Sequence, residues 1–231
     1  MTVVELRQYT LKPQQRDVLI ALFEREFVES QEELDMKLFG TFRDADDPDR
    51  FVWLRGFTDM ESRARSLAAF YGGPVWKAHR DAANATMIDS GNVLLLRPAW
   101  SGSGFTEGGT RGPIGSTALP GGLVVAAVCQ IDSTATDAFV SAFRRTARST
   151  CAAAGGRFLS AFVSEHGPNT FPALPVREVE NVFVWFTLFA DVETGRGGMK
   201  ADMLEPELHT ELPKPIETLR LLPTPRSLVH A

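Results

Sequence analysis

The chain has 231 residues, 44% hydrophobic and 23% charged, with a net charge of -5. That length buries one sizeable core or two small ones, and the composition is ordinary for a globular protein. The charge excludes a general nucleic-acid binder, because Lys and Arg are scattered and build no basic stripe. No uninterrupted apolar run approaches membrane-spanning length. Met1 to Tyr9 has neither the charge pattern of a transit peptide nor the apolar core of a signal peptide, so a cytoplasmic location is expected. The two cysteines, Cys129 and Cys151, lie in apolar contexts and read as small buried hydrophobes rather than as a disulfide framework or a metal site.

Val3 to Tyr9 alternates as a strand, with Val4, Leu6 and Gln8 on one face and Glu5, Arg7 and Tyr9 on the other. Pro13 leads a helix whose apolar stripe holds Val18, Leu19, Leu22, Phe23 and Phe27. Met36 to Arg43 and Phe51 to Phe57 are predicted strands, joined by an acidic turn from Asp44 to Asp49. Thr58-Asp59-Met60-Glu61 has capping-box spacing and starts a helix that stops at Gly72-Gly73. Pro74 opens a further helical segment, Val75 to Met87, and Asn92 to Arg97 is a closing strand before Pro98. The order β-α-β-β-α-β is that of a ferredoxin-like split unit.

Residues 101–122 are rich in Gly, Ser and Thr and read as a flexible connector. The order then repeats over residues 123–231. Leu123 to Ile131 is a strand, and Thr134-Ala135-Thr136-Asp137 caps a helix bearing Phe139, Ala142 and Phe143. Gly155-Gly156 stops it, and strands follow at Arg157 to Val163, Val179 to Phe189 and Leu219 to Leu222. Phe51-Val52-Trp53-Leu54-Arg55-Gly56-Phe57 echoes Phe183-Val184-Trp185-Phe186-Thr187-Leu188-Phe189, so duplication is inferred. A four-stranded sheet with its helices on one side needs cover on the other. The expected fold is therefore α+β: tandem ferredoxin-like βαββαβ units (residues 1–100 and 123–231) stacked as an intramolecular α/β barrel of the dimeric type. The alternative is two independent domains on a linker.

Residues 1–100 resemble the NIPSNAP family, within the dimeric α/β-barrel superfamily. The resemblance is carried by Val4 to Pro13, Asp49 to Phe57, Phe70 to Trp76, His79 to Asn84 and Asn92 to Pro98. It implies a small homodimeric or tandem protein. The superfamily includes cofactor-independent monooxygenases, haem-degrading enzymes, isomerases and decarboxylases, so the resemblance speaks to fold before function.

Alternation places Glu5, Arg7 and Tyr9 on one face of the first strand, and Phe51, Trp53, Arg55 and Phe57 on one face of the third. If these faces look into the barrel, they form an aromatic-walled pocket with guanidinium donors, suited to a planar or enolate-like anion. The other reading pairs Glu5 with the arginines at the rim and leaves the rings as core. His79 is the acid/base candidate, or else packs on Trp76. The candidate set is thus catalytic His79, Arg7 and Arg55, with Tyr9, Trp53, Trp76, Arg80 and Asn84 lining a substrate.

His166, His209 and His230 have no metal-ligand spacing, the acidic turn reads as a solvated hairpin, and no Gly-rich nucleotide loop is present. No metal and no cofactor is expected. In the second unit Thr187 stands in place of Arg55, and only Gly197-Gly198-Met199 echoes the Trp76 to Asn84 segment, so one asymmetric site is expected. Three functions compete. The first is a cofactor-independent enzyme of monooxygenase or isomerase type acting on a small hydrophobic anionic molecule. The second is a non-catalytic small-ligand or haem-binding protein, and the third a structural or interaction protein with a filled barrel. A homo-oligomer is open; nucleic acid and a membrane span are not expected.

Overall fold

Strand alternation in Val4, Leu6, Val52 and Leu54 gives the first sheet one largely apolar face, and the chain folds to bury it. The computed structural model describes residues 1–106, 109–134, 136–198 and 212–231. In the first unit β1 (Val3–Leu11) is followed by α1 (Arg16–Leu22), a π-helical turn (Phe23–Phe27) and α2 (Val28–Glu32). Then come β2 (Lys37–Asp44), β3 (Arg50–Phe57), α3 (Met60–Gly72), α4 (Pro74–Thr86) and β4 (Met87–Pro98). The second unit has β5 (Leu123–Gln130), α5 (Thr136–Ala153), β6 (Gly156–Ser164), β7 (Val182–Phe189), α6 (Val192–Gly198) and β8 (Glu217–Pro223).

Every strand pairing is antiparallel. The strands hydrogen-bond in the order β1-β3-β2-β8-β5-β7-β6-β4, and β4 returns to β1, so the ring closes. The two units meet edge to edge at two short seams. Phe42, Arg43 and Asp44 of β2 face Pro223, Leu222 and Leu221 of β8, and Leu96, Arg97 and Pro98 of β4 face Ser164, Val163 and Phe162 of β6.

The sheets of the two units, expected to stack face to face as a dimeric-type barrel, instead join edge to edge in one ring. The interior is filled by Leu6, Phe42, Leu54, Phe162, Phe186 and their aliphatic neighbours. Phe105, from the segment expected only to connect the units, packs at 5.0 Å from Phe186 and 5.2 Å from Phe39, ring centre to ring centre. The polar and aromatic face of β1 and β3 points the other way, outward beneath the helices of the first unit. The physical reason is the period-two rule: burying Val4 and Leu6 in the ring forces Glu5, Arg7 and Tyr9 to its outside.

Local corrections have equally local causes. The capping box at the start of α3 is Asp59 with Ser62, one residue later than expected: Ser62 N donates to Asp59 Oδ1 at 2.7 Å, and Asp59 N donates to Ser62 Oγ at 3.0 Å. Val18 is exposed, because the buried side of α1 is centred on Leu19 and Leu22 and continues to Phe23 and Phe27, which leaves Val18 at its edge. Gly155, with φ of +80°, turns the chain out of α5 as a left-handed stop should. His209, Met199 and Ala135 lie outside the described residues.

Candidate functional site

Three arginines converge on one carboxylate on the outer face of the first sheet. Glu5 and Arg7 are two apart on β1 and therefore neighbours on that face; Arg55 of β3 lies directly opposite Glu5 in the register. Arg63 comes from the first turn of α3, delivered by the Asp59 cap. Glu5 Oε2 accepts from Arg7 Nη1 at 2.8 Å and from Arg55 Nε at 2.7 Å, and Glu5 Oε1 accepts from Arg63 Nε at 2.7 Å. All four side chains are fully buried.

Neutral groups hold the rest of the cluster. Arg55 Nη1 donates to Gln31 Oε1 at 2.8 Å, while Gln31 Nε2 donates to the Phe27 carbonyl at 2.9 Å, in the π-helical turn. Arg7 Nε donates to the Tyr9 hydroxyl oxygen at 3.1 Å. Arg63 Nη1 donates to Asn169 Oδ1 at 3.0 Å and Thr170 Oγ1 at 3.3 Å, so the loop between β6 and β7 of the second unit reaches over α3. Phe171 of that loop stacks on Tyr71 with ring centres 5.8 Å apart.

Burial pushes the Glu5 carboxyl up, but Arg55, Arg7 and Arg63 outweigh it and hold it far below the ordinary carboxylate range. Burial likewise opposes the charge on Arg7, yet Tyr9 and Glu5 keep it above the usual guanidinium value. Burial raises the Tyr9 phenol against the pull of Arg7. The charges therefore stand as three cations on one anion, a surplus of +2, and among the described residues no other acidic group lies within ion-pair distance of the three arginines. The Nη2 atoms of Arg7, Arg55 and Arg63, and Nε1 of Trp53, are buried without a hydrogen-bond partner among the described residues. Each such donor costs about 1–3 kcal/mol, more when charged.

Beside the cluster is an aromatic cage. Tyr9, Phe23, Trp53, Phe70, Tyr71 and Trp76 wall a cavity of about 20 Å³, room for about one water. The Arg7 and Arg55 guanidinium carbons lie 5.4 Å and 4.9 Å from the Trp53 ring centre, so the Trp53 wall is in contact with both.

The structure brings Arg7, Arg55, Tyr9, Trp53 and Trp76 of the sequence-predicted set together, and leaves the other three apart. His79 lies on α4 with its ring edge-on to Phe27, its Nε2 3.4 Å from Glu26 Oε2, outside the cavity wall. Arg80 is exposed and pairs with Asp81 at 3.4 Å, and Asn84 is exposed. Sequence reading missed Arg63, Gln31, Asn169 and Thr170. Arg63 sits near the start of a capped helix, with no local sequence signal for its contact with Glu5; Asn169 and Thr170, more than a hundred residues away, left none either.

Among the described residues the second unit has no counterpart. Phe139 and Phe143 of α5 pack directly on Phe183, at 5.2 Å and 4.7 Å between ring centres, and Phe143 packs on Trp185 at 5.0 Å. Thr187, at the place of Arg55, lies 3.2 Å from Cys151 Sγ. Burial pushes the Cys129 thiol up to about 12 and raises Cys151 as well, so neither is an activated nucleophile. Among the described residues no group of metal-binding side chains occurs, and no helix is long and apolar enough to cross a membrane.

Residues 4–101 match the NIPSNAP family model. No curated protein matches the chain. Among solved structures, a candidate monooxygenase from Lactobacillus acidophilus NCFM is similar over 100% of both chains, with 12% identity and a TM-score of 0.59. A candidate monooxygenase from Fusobacterium nucleatum covers 99% of this chain and 95% of its own, at 9% identity and a TM-score of 0.61. An anthrone oxidase-like protein covers 96% of this chain and 91% of its own, at 10% identity and a TM-score of 0.58. These likenesses extend to the fold of the whole chain and no further. The NIPSNAP match is seated in the first unit, the one that carries the arginine cluster.

Proposed function

We propose that the first unit binds a small, partly apolar anion, with its charged end on the arginine cluster and its apolar part between the rings. The carrying observation is the surplus of buried positive charge with three unpartnered guanidinium Nη2 groups, two of the guanidiniums lying against Trp53 of the aromatic cage. A buried charge without a counter-ion is costly, and an anion removes that cost. The cavity is small, so the rings of Tyr71 and Trp76 must part for a ligand to enter.

The chemistry that follows is charge stabilisation. Fixed N–H donors in a site shielded from water lower the energy of an oxyanion or enolate that develops on a bound substrate. Arg7 and Arg55 fill that role, which suits an isomerase-type step through an enolate as well as a monooxygenase-type one; the names of the fold relatives, monooxygenase and oxidase-like, support only the latter. Glu5 is too strongly held by its arginines to serve as the base. The filled barrel interior favours a second reading, in which the cluster only fastens α3 and the second unit's loop to the sheet.

Titration with benzoate, read by tryptophan fluorescence, separates them. Binding that saturates in the wild type and weakens at least about tenfold in Arg55→Gln supports the anion site. No saturable response to any anion leaves the fastening role.

A further inference from the structure

Building on the anion-binding reading, we propose that the head group this site takes carries two negative charges, as a phosphate monoester or a dicarboxylate does. The charges of the closed site set the count. Arg7, Arg55 and Arg63 share one carboxylate, and their remaining neighbours, Gln31, Tyr9, Asn169 and Thr170, are neutral. A monoanion leaves one positive charge uncompensated where all four charged side chains are cut off from water. A dianion leaves none.

The donors agree with the count. Three unpartnered Nη2 atoms, one from each arginine, come from three chain segments, β1, β3 and α3. They cannot all belong to one planar fork of the kind that grips a single carboxylate edge-on. Trp53, whose ring lines the cavity, adds a fourth unpartnered buried donor, its Nε1. Such a set suits a head group with several acceptor oxygens attached to a ring-sized apolar body. Tyr9, the nearest ionisable neutral group, donates no compensating charge, since its hydroxyl already accepts from Arg7 and burial favours its neutral form.

The test compares ligands of one shape and different charge. Phenyl phosphate and phenyl sulfate differ above the second phosphate pKa, near 6, by a single negative charge. Phenylmalonate and phenylacetate make the same comparison among carboxylates. Calorimetric titration of the full chain at pH 8 is expected to show phenyl phosphate or phenylmalonate binding at least about tenfold tighter than its singly charged partner. For the phosphate the preference should vanish at pH 5, where both esters are monoanions. Preference in the phosphate pair alone points to a phosphate ester as the source, and preference in the carboxylate pair alone to a diacid. Arg63→Gln lowers the surplus by one charge and should erase the preference, weakening the dianion at least about tenfold more than the monoanion. Equal affinity of mono- and dianions at pH 8 would overturn this inference and leave the anion site standing. Absence of binding by all four ligands would overturn both.

Discussion

Glu5 is the residue on which the outer layer of the first unit depends. Neutralising it removes the one counter-ion that three buried guanidinium groups have among the described residues. Glu5→Gln should cost about 3–5 kcal/mol in urea unfolding, and a ligand-sized anion should restore part of that loss. Protonation does the same thing by pH. The folded carboxyl titrates far below its unfolded value of about 4.5, so its stabilisation is complete above that value and is lost as pH falls below it toward the folded one. A pH series of unfolding midpoints should fall below pH 4.5 in the wild type and fall less steeply in Glu5→Gln; equal slopes would place the acid lability elsewhere. Arg80→Ala and Asn84→Ala, both at exposed positions, should shift stability by no more than about 0.5 kcal/mol and leave anion affinity unchanged. At this scale alternation put Arg7 and Tyr9 on one face of β1 and Trp53 and Arg55 on one face of β3, and the pairing of the two strands brings those faces together. His79 drew notice by residue type, and it lies beside Glu26, outside the cavity wall.

The π-helical turn and Gln31 form the element that joins helix to site. The widened turn leaves the Phe27 carbonyl to Gln31, which in turn accepts from Arg55. Gln31→Ala should therefore cost about 1–3 kcal/mol and weaken anion binding, since it frees a buried carbonyl and another guanidinium N–H. Gln31→Glu offers a sharper comparison: it preserves the acceptor for Arg55 but removes one positive charge from the surplus, so dianion binding should suffer more than stability does. Double-mutant analysis with Arg55→Gln checks whether the two residues act together. Element order was readable because Gly72-Gly73, Pro74 and Gly155 mark their boundaries by backbone geometry. The π turn was not, since an apolar stripe continues through it with only a change of phase.

For the whole molecule, the two units share one filled interior, so they should unfold together. Phe186 touches Phe105 and Phe162 in that interior, and Phe186→Ala should cost about 3–5 kcal/mol. Amide exchange in β1 of the first unit should accelerate along with that in β7, which would not happen if the units were independent. The repeat and its β-α-β-β-α-β order were legible from matching strands. The direction of the faces was not: alternation says which residues lie together, and only the pairing of the other unit decides which face is enclosed. That reversal moves the candidate site from the barrel interior to the layer beneath α1 to α4, where the second unit contributes the Asn169–Thr170 loop instead of a matching site. The most direct test of the account is a crystal structure of the protein soaked in 4-bromobenzoate. The account predicts a bromine anomalous signal within the aromatic cage of the first unit, with the carboxylate on the arginine Nη2 groups. A signal in the barrel interior or in the second unit, or a cage that stays closed on Trp53 at saturating ligand, would contradict it.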